Sequence, residues 1–238
     1  MKLALHNYWR SSASHRVRIA LNLKGLAYDY VVVNLLKREQ HDGAYRAHNP
    51  MGQVPALVIT EDDGTTRTIH QSLPILEYLE ERFTGPGSVP ILPRDLYLRA
   101  RARGLAEIIN SGIQPHQNLS TTLKIKALGA DEAVWTQGFI TDGIIAFAHA
   151  TAETAGQFCV GDAPTIADCC LIPQLASARR FGVLGPTGWM RSADADRADL
   201  QRLLEIEARC LALPRWGDCS TGHCQTSGRP LLYPRTLL

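Results

Sequence analysis

Three serines stand where a short apolar run gives way to a helical pattern, in "HNYWRSSASHRVRIALNLKG", residues 6–25. Ser11, Ser12 and Ser14 lie between Arg10 and the pair His15–Arg16, so hydroxyls, backbone amides and cations crowd one helix start. Such a start attracts anions, because its first amides lack intrahelical acceptors and the helix dipole is positive there. The turn carries no cysteine, Ala13 filling the position between the serines. Its chemistry is that of a receiver: donors and positive potential that stabilise a thiolate or oxyanion brought by a ligand. The same serines also serve as caps and turn residues, with Ser14 a candidate cap. His15 could titrate near neutral pH, although packing on the first turn is the simpler role.

A second helix start follows at Gln71-Ser72, before "LPILEYLEERF". Ser72 is a candidate cap, and Pro74 is tolerated in a first turn because its missing N–H breaks no intrahelical bond. The amides and dipole there suit a carboxylate. Thr165-Ile-Ala-Asp168 is a capping-box pattern before an apolar run, a stability feature with no part in chemistry. Cys169 and Cys170 on that run read as small buried residues, since adjacent cysteines do not readily bridge. Arg18 and Arg179 read as solvated helix-surface arginines.

The elements that must hold these residues alternate in the first third of the chain. "LALHNY" reads as a strand, Ser14–Lys24 as a helix closed by Gly25, and "YDYVVVNL" as a second, parallel strand. "ALVIT" and "TTRTIH" flank Asp63-Gly64 as a hairpin, and residues 73–83 form a helix. Residues 1–83 thus read as a small α/β domain, βαβ followed by ββα. "TGPGSVPILPRD" is a linker over 84–93. Residues 94–213 read as an all-α domain with helices at 94–113, 130–155, 165–181 and 196–211. Pro115 is expected to break or kink a helix. Residues 214–238 change composition and lose periodicity, which predicts a loose tail. Cys219, His223 and Cys224 in it match no zinc spacing, so no metal is expected.

The chain has 238 residues, 45% of them hydrophobic and 20% charged, values of a globular protein with a real core. Its net charge of +2 is too small to drive nucleic-acid binding. No apolar run reaches the roughly 20 residues of a membrane span, and the N-terminus lacks a secretory h-region. Six cysteines over this length form no small-domain disulfide framework. A reducing, cytoplasmic setting is the expectation.

The segments "SSASHRVRIALNLKG", "NPMGQVPAL", "IHQSLPILEYLEE", "GIQPHQNLS" and "VGDAPTIADCCLIPQ", in register from about residue 2 to 212, together resemble the zeta class of glutathione transferases. The resemblance implies a thioredoxin-like domain followed by a helical one, a homodimer, and glutathione as cofactor. It implies that Ser11, Ser12, Ser14, His15, Arg16, Gln40, Val54, Gln71, Ser72, Gln114, Asn118, Leu119 and Ser120 bind that tripeptide. Val54-Pro55, alone an ordinary loop proline, becomes a cis-proline loop whose valine backbone pairs with the cysteinyl part. Gln40 falls near the glycyl end, in a loop shorter than in some relatives.

The implied reaction is cis–trans isomerisation of maleylacetoacetate to fumarylacetoacetate, in tyrosine and phenylalanine catabolism, through reversible thiolate addition. Ser11 is the favoured thiolate donor, with Ser12 next, and Arg180, Arg10 and Arg16 are the cations for a dicarboxylate substrate. Many zeta members carry Ser-Ser-Cys-Ser at the turn, and Ala13 in that position argues against a protein thiol as nucleophile. The alternatives are a maleylpyruvate isomerase, a general glutathione transferase, or a glutathione-binding protein without chemistry.

Overall fold

The computed structural model describes residues 1–185, 188–189 and 196–216. They divide into two units, Met1–Pro90 with the chain from Leu213, and Ile91–Ala212.

In the first unit, β1 (Lys2–Asn7) leads into α1 (Ser12–Leu23) and β2 (Asp29–Val32), and two short 3-10 turns then precede α2 (Gly43–Arg46). β3 (Ala56–Thr60), β4 (Thr66–His70) and α3 (Ser72–Arg82) complete it. The sheet order is β2-β1-β3-β4, with β1–β2 parallel and the other pairs antiparallel. This is the mixed βαβ–ββα sheet expected from the alternating patterns. β1 buries Leu3, Leu5 and Asn7 on one face, the period of two that a strand imposes. Val17, Leu21, Ile75, Leu76 and Leu79 of the mutually packed α1 and α3 are fully buried. Each such aliphatic side chain contributes about 1.5–3 kcal/mol.

Lys24, at the end of α1, donates to Glu80 of α3 at 2.7 Å, a buried ion pair that locks the two helices together. Gly25 follows with φ 67, and Leu26 N–H returns to Leu21 O at 2.9 Å, the left-handed helix stop that glycine permits. A Cβ there would meet Arg215 Nη1 at 3.1 Å. Arg215 donates to Gly87 O at 2.7 Å and Trp216 is buried, so residues 215–216 are anchored rather than loose. The rest of the expected tail, with Cys219, His223 and Cys224, lies outside the described residues.

The second unit holds α4 (Leu96–Gly112), α5 (Leu119–Ala127), α6 (Glu132–Ala152), α7 (Ile166–Arg180) and α8 (Arg197–Ala212). It also has a two-strand pair that the sequence reading lacked, β5 (Leu184–Gly185) with β6 (Gly188–Trp189). α4 packs on α6 and α7, and α8 packs on the same two helices. Pro115 lies beyond the end of α4, in the turn before α5, so it breaks the helix instead of kinking it. Asp168 completes the capping box on Thr165 and also accepts from Cys159 N–H at 2.9 Å. Cys169 and Cys170 are buried and reduced. Arg179 is not merely solvated, because it forms a forked pair with Glu207 of α8. No helix among the described residues is long and apolar enough to cross a membrane.

Candidate active site

Strand register brings the first-unit candidates together. His6 of β1, Ala56 of β3 and His70 of β4 form one row across the sheet. Just beyond that row lie the serine turn, the Val54-Pro55 loop and Gln71-Ser72, one segment from each strand end. Tyr8 and Val54 share a small apolar cluster with Val33, Tyr45 and Ala56, which fixes the serine turn beside the proline loop. The Val54-Pro55 bond is cis.

Ser11, not Ser14, caps α1: its Oγ accepts from Ser14 N–H at 3.2 Å. The Ser11 hydroxyl proton has no acceptor among the described residues, and neither do the amides of Ser12 and Ala13. Three donors therefore stand unspent at the positive end of one helix. Ser12 and Ser11 are part-exposed, whereas Ser14 is buried, its Oγ without a partner among the described residues. His15 is held neutral: burial first, then the neighbouring Arg18 cation, push its imidazole down to about 3. That removes the expectation of titration near neutral pH.

Ser72 is the first residue of α3 rather than its cap; the cap position is Gln71, at φ 71 with no side-chain cap bond. A non-glycine residue in the left-handed region is uncommon and costs backbone energy, a feature that clusters at ligand-holding positions. Gln71 Nε2 lies 3.5 Å from Gln53 Oε1. Arg16, expected as a cation for ligand or substrate, is fully buried and donates Nη1 to Ser72 Oγ at 3.0 Å. It therefore stands behind the second helix start instead of in front of the first. Gln40 is buried with its Oε1 unpartnered among the described residues. Gly52, at φ 61, lets the proline loop close on this segment, since a Cβ would meet Gln40 O at 2.8 Å. Arg10 is exposed, its guanidinium 5.5 Å from the Trp9 ring centroid.

Arg18 is the residue that sequence reading placed wrongly. It is 1% exposed and bonds Asn7 Oδ1 at 3.0 Å and Trp9 O at 3.1 Å. The available signal was its place on the stripe Ser14, Val17, Arg18, Leu21, the buried face of α1.

In the second unit Gln114 and Asn118 are part-exposed, and Leu119 and Ser120 are exposed at the start of α5. Between them Gln117, absent from the sequence-derived set, is buried and exchanges amide hydrogen bonds of 3.0 Å with Gln174 of α7. That reciprocal pair fixes the turn that carries Gln114 and Asn118. Arg180, near the end of α7, is exposed, its guanidinium 4.7 Å from the Phe181 ring centroid. Among the described residues no group of His, Cys, Asp or Glu could hold a metal ion.

Residues 10–82 match the family described as glutathione S-transferase, N-terminal domain. A probable maleylacetoacetate isomerase of Drosophila melanogaster is 49% identical over 181 residues, 75% of each chain. The chain belongs to the zeta class of the glutathione transferases. The crystal structure of a maleylacetoacetate isomerase from Anaeromyxobacter dehalogenans 2CP-1, with glutathione in its active site, superposes with a TM-score of 0.77. It is 43% identical and covers 92% of this chain and 94% of its own. A holo maleylpyruvate isomerase structure, itself zeta class, has a TM-score of 0.77 at 36% identity, covering 91% and 96%. The first unit of this transferase thus has the thioredoxin-like plan and the second the helical plan of the class.

Proposed function

We propose that the chain isomerises maleylacetoacetate to fumarylacetoacetate with glutathione as its cofactor. The observation that carries this is the alignment of two donor-rich helix starts at one sheet end. The α1 start offers the Ser11 hydroxyl and two amides; the α3 start offers the amides of Ser72 and Leu73, which have no acceptor among the described residues. β1 and β4 run parallel with one strand between them, so their C-terminal ends lie about 10 Å apart at about 4.8 Å per strand, and a helix start follows each. An extended tripeptide reaches that far at about 3.5 Å per residue. One anion site then takes the sulfur and the other the γ-glutamyl carboxylate, with the Val54 backbone between them and Gln40 Oε1 beside the loop. The residues present fit the cofactor.

Glutathione supplies the thiolate whose reversible addition lets the olefinic bond rotate. The chain's part is to stabilise negative charge at the sulfur and to orient the diacid. The Ser11 hydroxyl would hydrogen-bond the sulfur of bound glutathione, its oxygen being held by Ser14 N–H. Ser12 and Ala13 add amides, and the α1 dipole favours the anion. His15, neutral, adds no charge. Arg16 orients Ser72 at the second start. Arg180 and Arg10 are the proposed partners of the substrate carboxylates, through the fork geometry of guanidinium on carboxylate. Gln114, Asn118, Leu119 and Ser120 complete the proposed glutathione contacts. The resemblance also supports a homodimer working in the cytoplasm in aromatic amino-acid catabolism, and sedimentation of the purified protein tests the dimer.

The likeness to a maleylpyruvate isomerase makes maleylpyruvate the one competing substrate. Parallel assays on the two maleyl acids at matched glutathione test the reading. Higher kcat/KM for maleylacetoacetate supports it; higher kcat/KM for maleylpyruvate reassigns the substrate.

A further inference from the structure

Arg18 is a buried cation bonded to the segment that leads into the serine turn, and none of its bonds goes to an acid. Its side chain is 1% exposed. Nη1 donates to Asn7 Oδ1 at 3.0 Å and Tyr8 O at 3.4 Å, and Nη2 to Trp9 O at 3.1 Å. All three acceptors are neutral, and Nε has no partner among the described residues. A guanidinium remains charged at any working pH. A buried charge without a counter-ion is expensive, and an anion brought to the turn would offset part of that cost.

Among the described residues no acid bonds that charge. On α1, Arg16 is directed to Ser72 and Lys24 is paired with Glu80 of α3. The acceptors that β1 and its following loop offer to Arg18 are neutral. His15, the titratable neighbour, is pushed down to about 3 and adds no second charge at neutral pH.

Arg18 is also wired to the serine that matters. Tyr8 O accepts from Arg18 and, at 3.0 Å, from Ser11 N–H. Asn7, which Arg18 grips from the other side, is tied to Leu5 O and Val31 O, so the guanidinium adds a polar brace to a 7–11 turn that the Tyr8 cluster already holds.

We propose that Arg18 is the positioning residue of the serine turn and the fixed positive charge behind it, favouring thiolate over thiol at Ser11. This rests on reading the turn as the glutathione-sulfur site. The test compares Arg18→Met and Arg18→Lys with the wild-type chain, reading the pKa of bound glutathione from thiolate ultraviolet absorbance. Affinity for S-methylglutathione, which cannot ionise at sulfur, is measured alongside by calorimetry. In Arg18→Met the bound-thiol pKa is expected to rise by about one unit or more, a tenfold loss of thiolate preference. S-methylglutathione affinity should stay within about threefold. Arg18→Lys, which keeps the charge, should restore most of the depression and is the decisive variant if Arg18→Met does not fold. An unchanged pKa in Arg18→Met, an equal loss of both ligands, or an Arg18→Lys pKa as high as free glutathione would overturn the proposal. A wild-type chain that binds neither ligand refutes the site assignment itself.

Discussion

Ser11 and Ser12 are neighbours with different work. Ser11 Oγ is fixed by Ser14 N–H and keeps a proton to give, while Ser12 has no side-chain bond among the described residues. A donor already fixed loses little freedom when it meets a developing charge. Ser11→Ala is therefore expected to lower kcat/KM by about 10²–10³. It should also cost about 1 kcal/mol of stability through the lost cap. Ser12→Ala should lower kcat/KM less than about tenfold, and steady-state kinetics with thermal unfolding of both variants check the order. His15 gives a pH prediction. Its folded value of about 3 lies below the unfolded 6.5, so between these limits the unfolded chain holds a proton that the folded chain does not. Stability should rise with pH across that window by up to ~1.4 kcal/mol per unit, be complete above it, and be lost as pH falls through it. Urea unfolding across the window should show a flatter slope for His15→Gln.

At the scale of elements, what could be read from the sequence depended on whether a pattern had something to pack against. α1 and α3 were legible because their apolar residues follow the helix period and are buried, whereas the hairpin was legible from the Asp63-Gly64 turn, since β4 buries none of its residues. α5 was not, because none of its residues is buried and Leu119 and Leu123 point to solvent, so no apolar stripe exists to read. The serine turn was legible as a helix start, but cap geometry decides which serine is the cap, and Ser72 lost that role to Gln71 through a backbone angle that no residue type announces. Arg18 was misread because arginine is ordinarily exposed, and only its position on a buried stripe says otherwise, whereas Arg16, expected at the ligand, is buried against Ser72. Between α1 and α3, the Lys24 side chain is 1% exposed and depends on Glu80. Glu80→Ala should cost up to about 3–5 kcal/mol by leaving that ammonium with only the neutral Phe83 carbonyl at 3.3 Å, and a Lys24→Met/Glu80→Leu double variant should recover much of it. Chemical denaturation of the two variants decides this.

For the whole molecule, the boundary of the working chain falls later than composition suggests. The change at residue 214 predicts that everything from 215 onward is dispensable, yet Arg215 grips Gly87 O and Leu23 O and Trp216 is 1% exposed. A chain cut short of these two residues should therefore lose stability. One ending at Ala212 should lose about 3–5 kcal/mol, the usual loss for deleting a buried aromatic. Above all these, the fold is built to bring in a thiolate that the serine turn does not itself supply. Purified protein, freed of glutathione by dialysis and given maleylacetoacetate, tests it directly. The account predicts no conversion until glutathione is added, then many turnovers per glutathione with fumarylacetoacetate as the sole product. Conversion without glutathione, or consumption of glutathione mole for mole into a conjugate, would contradict it.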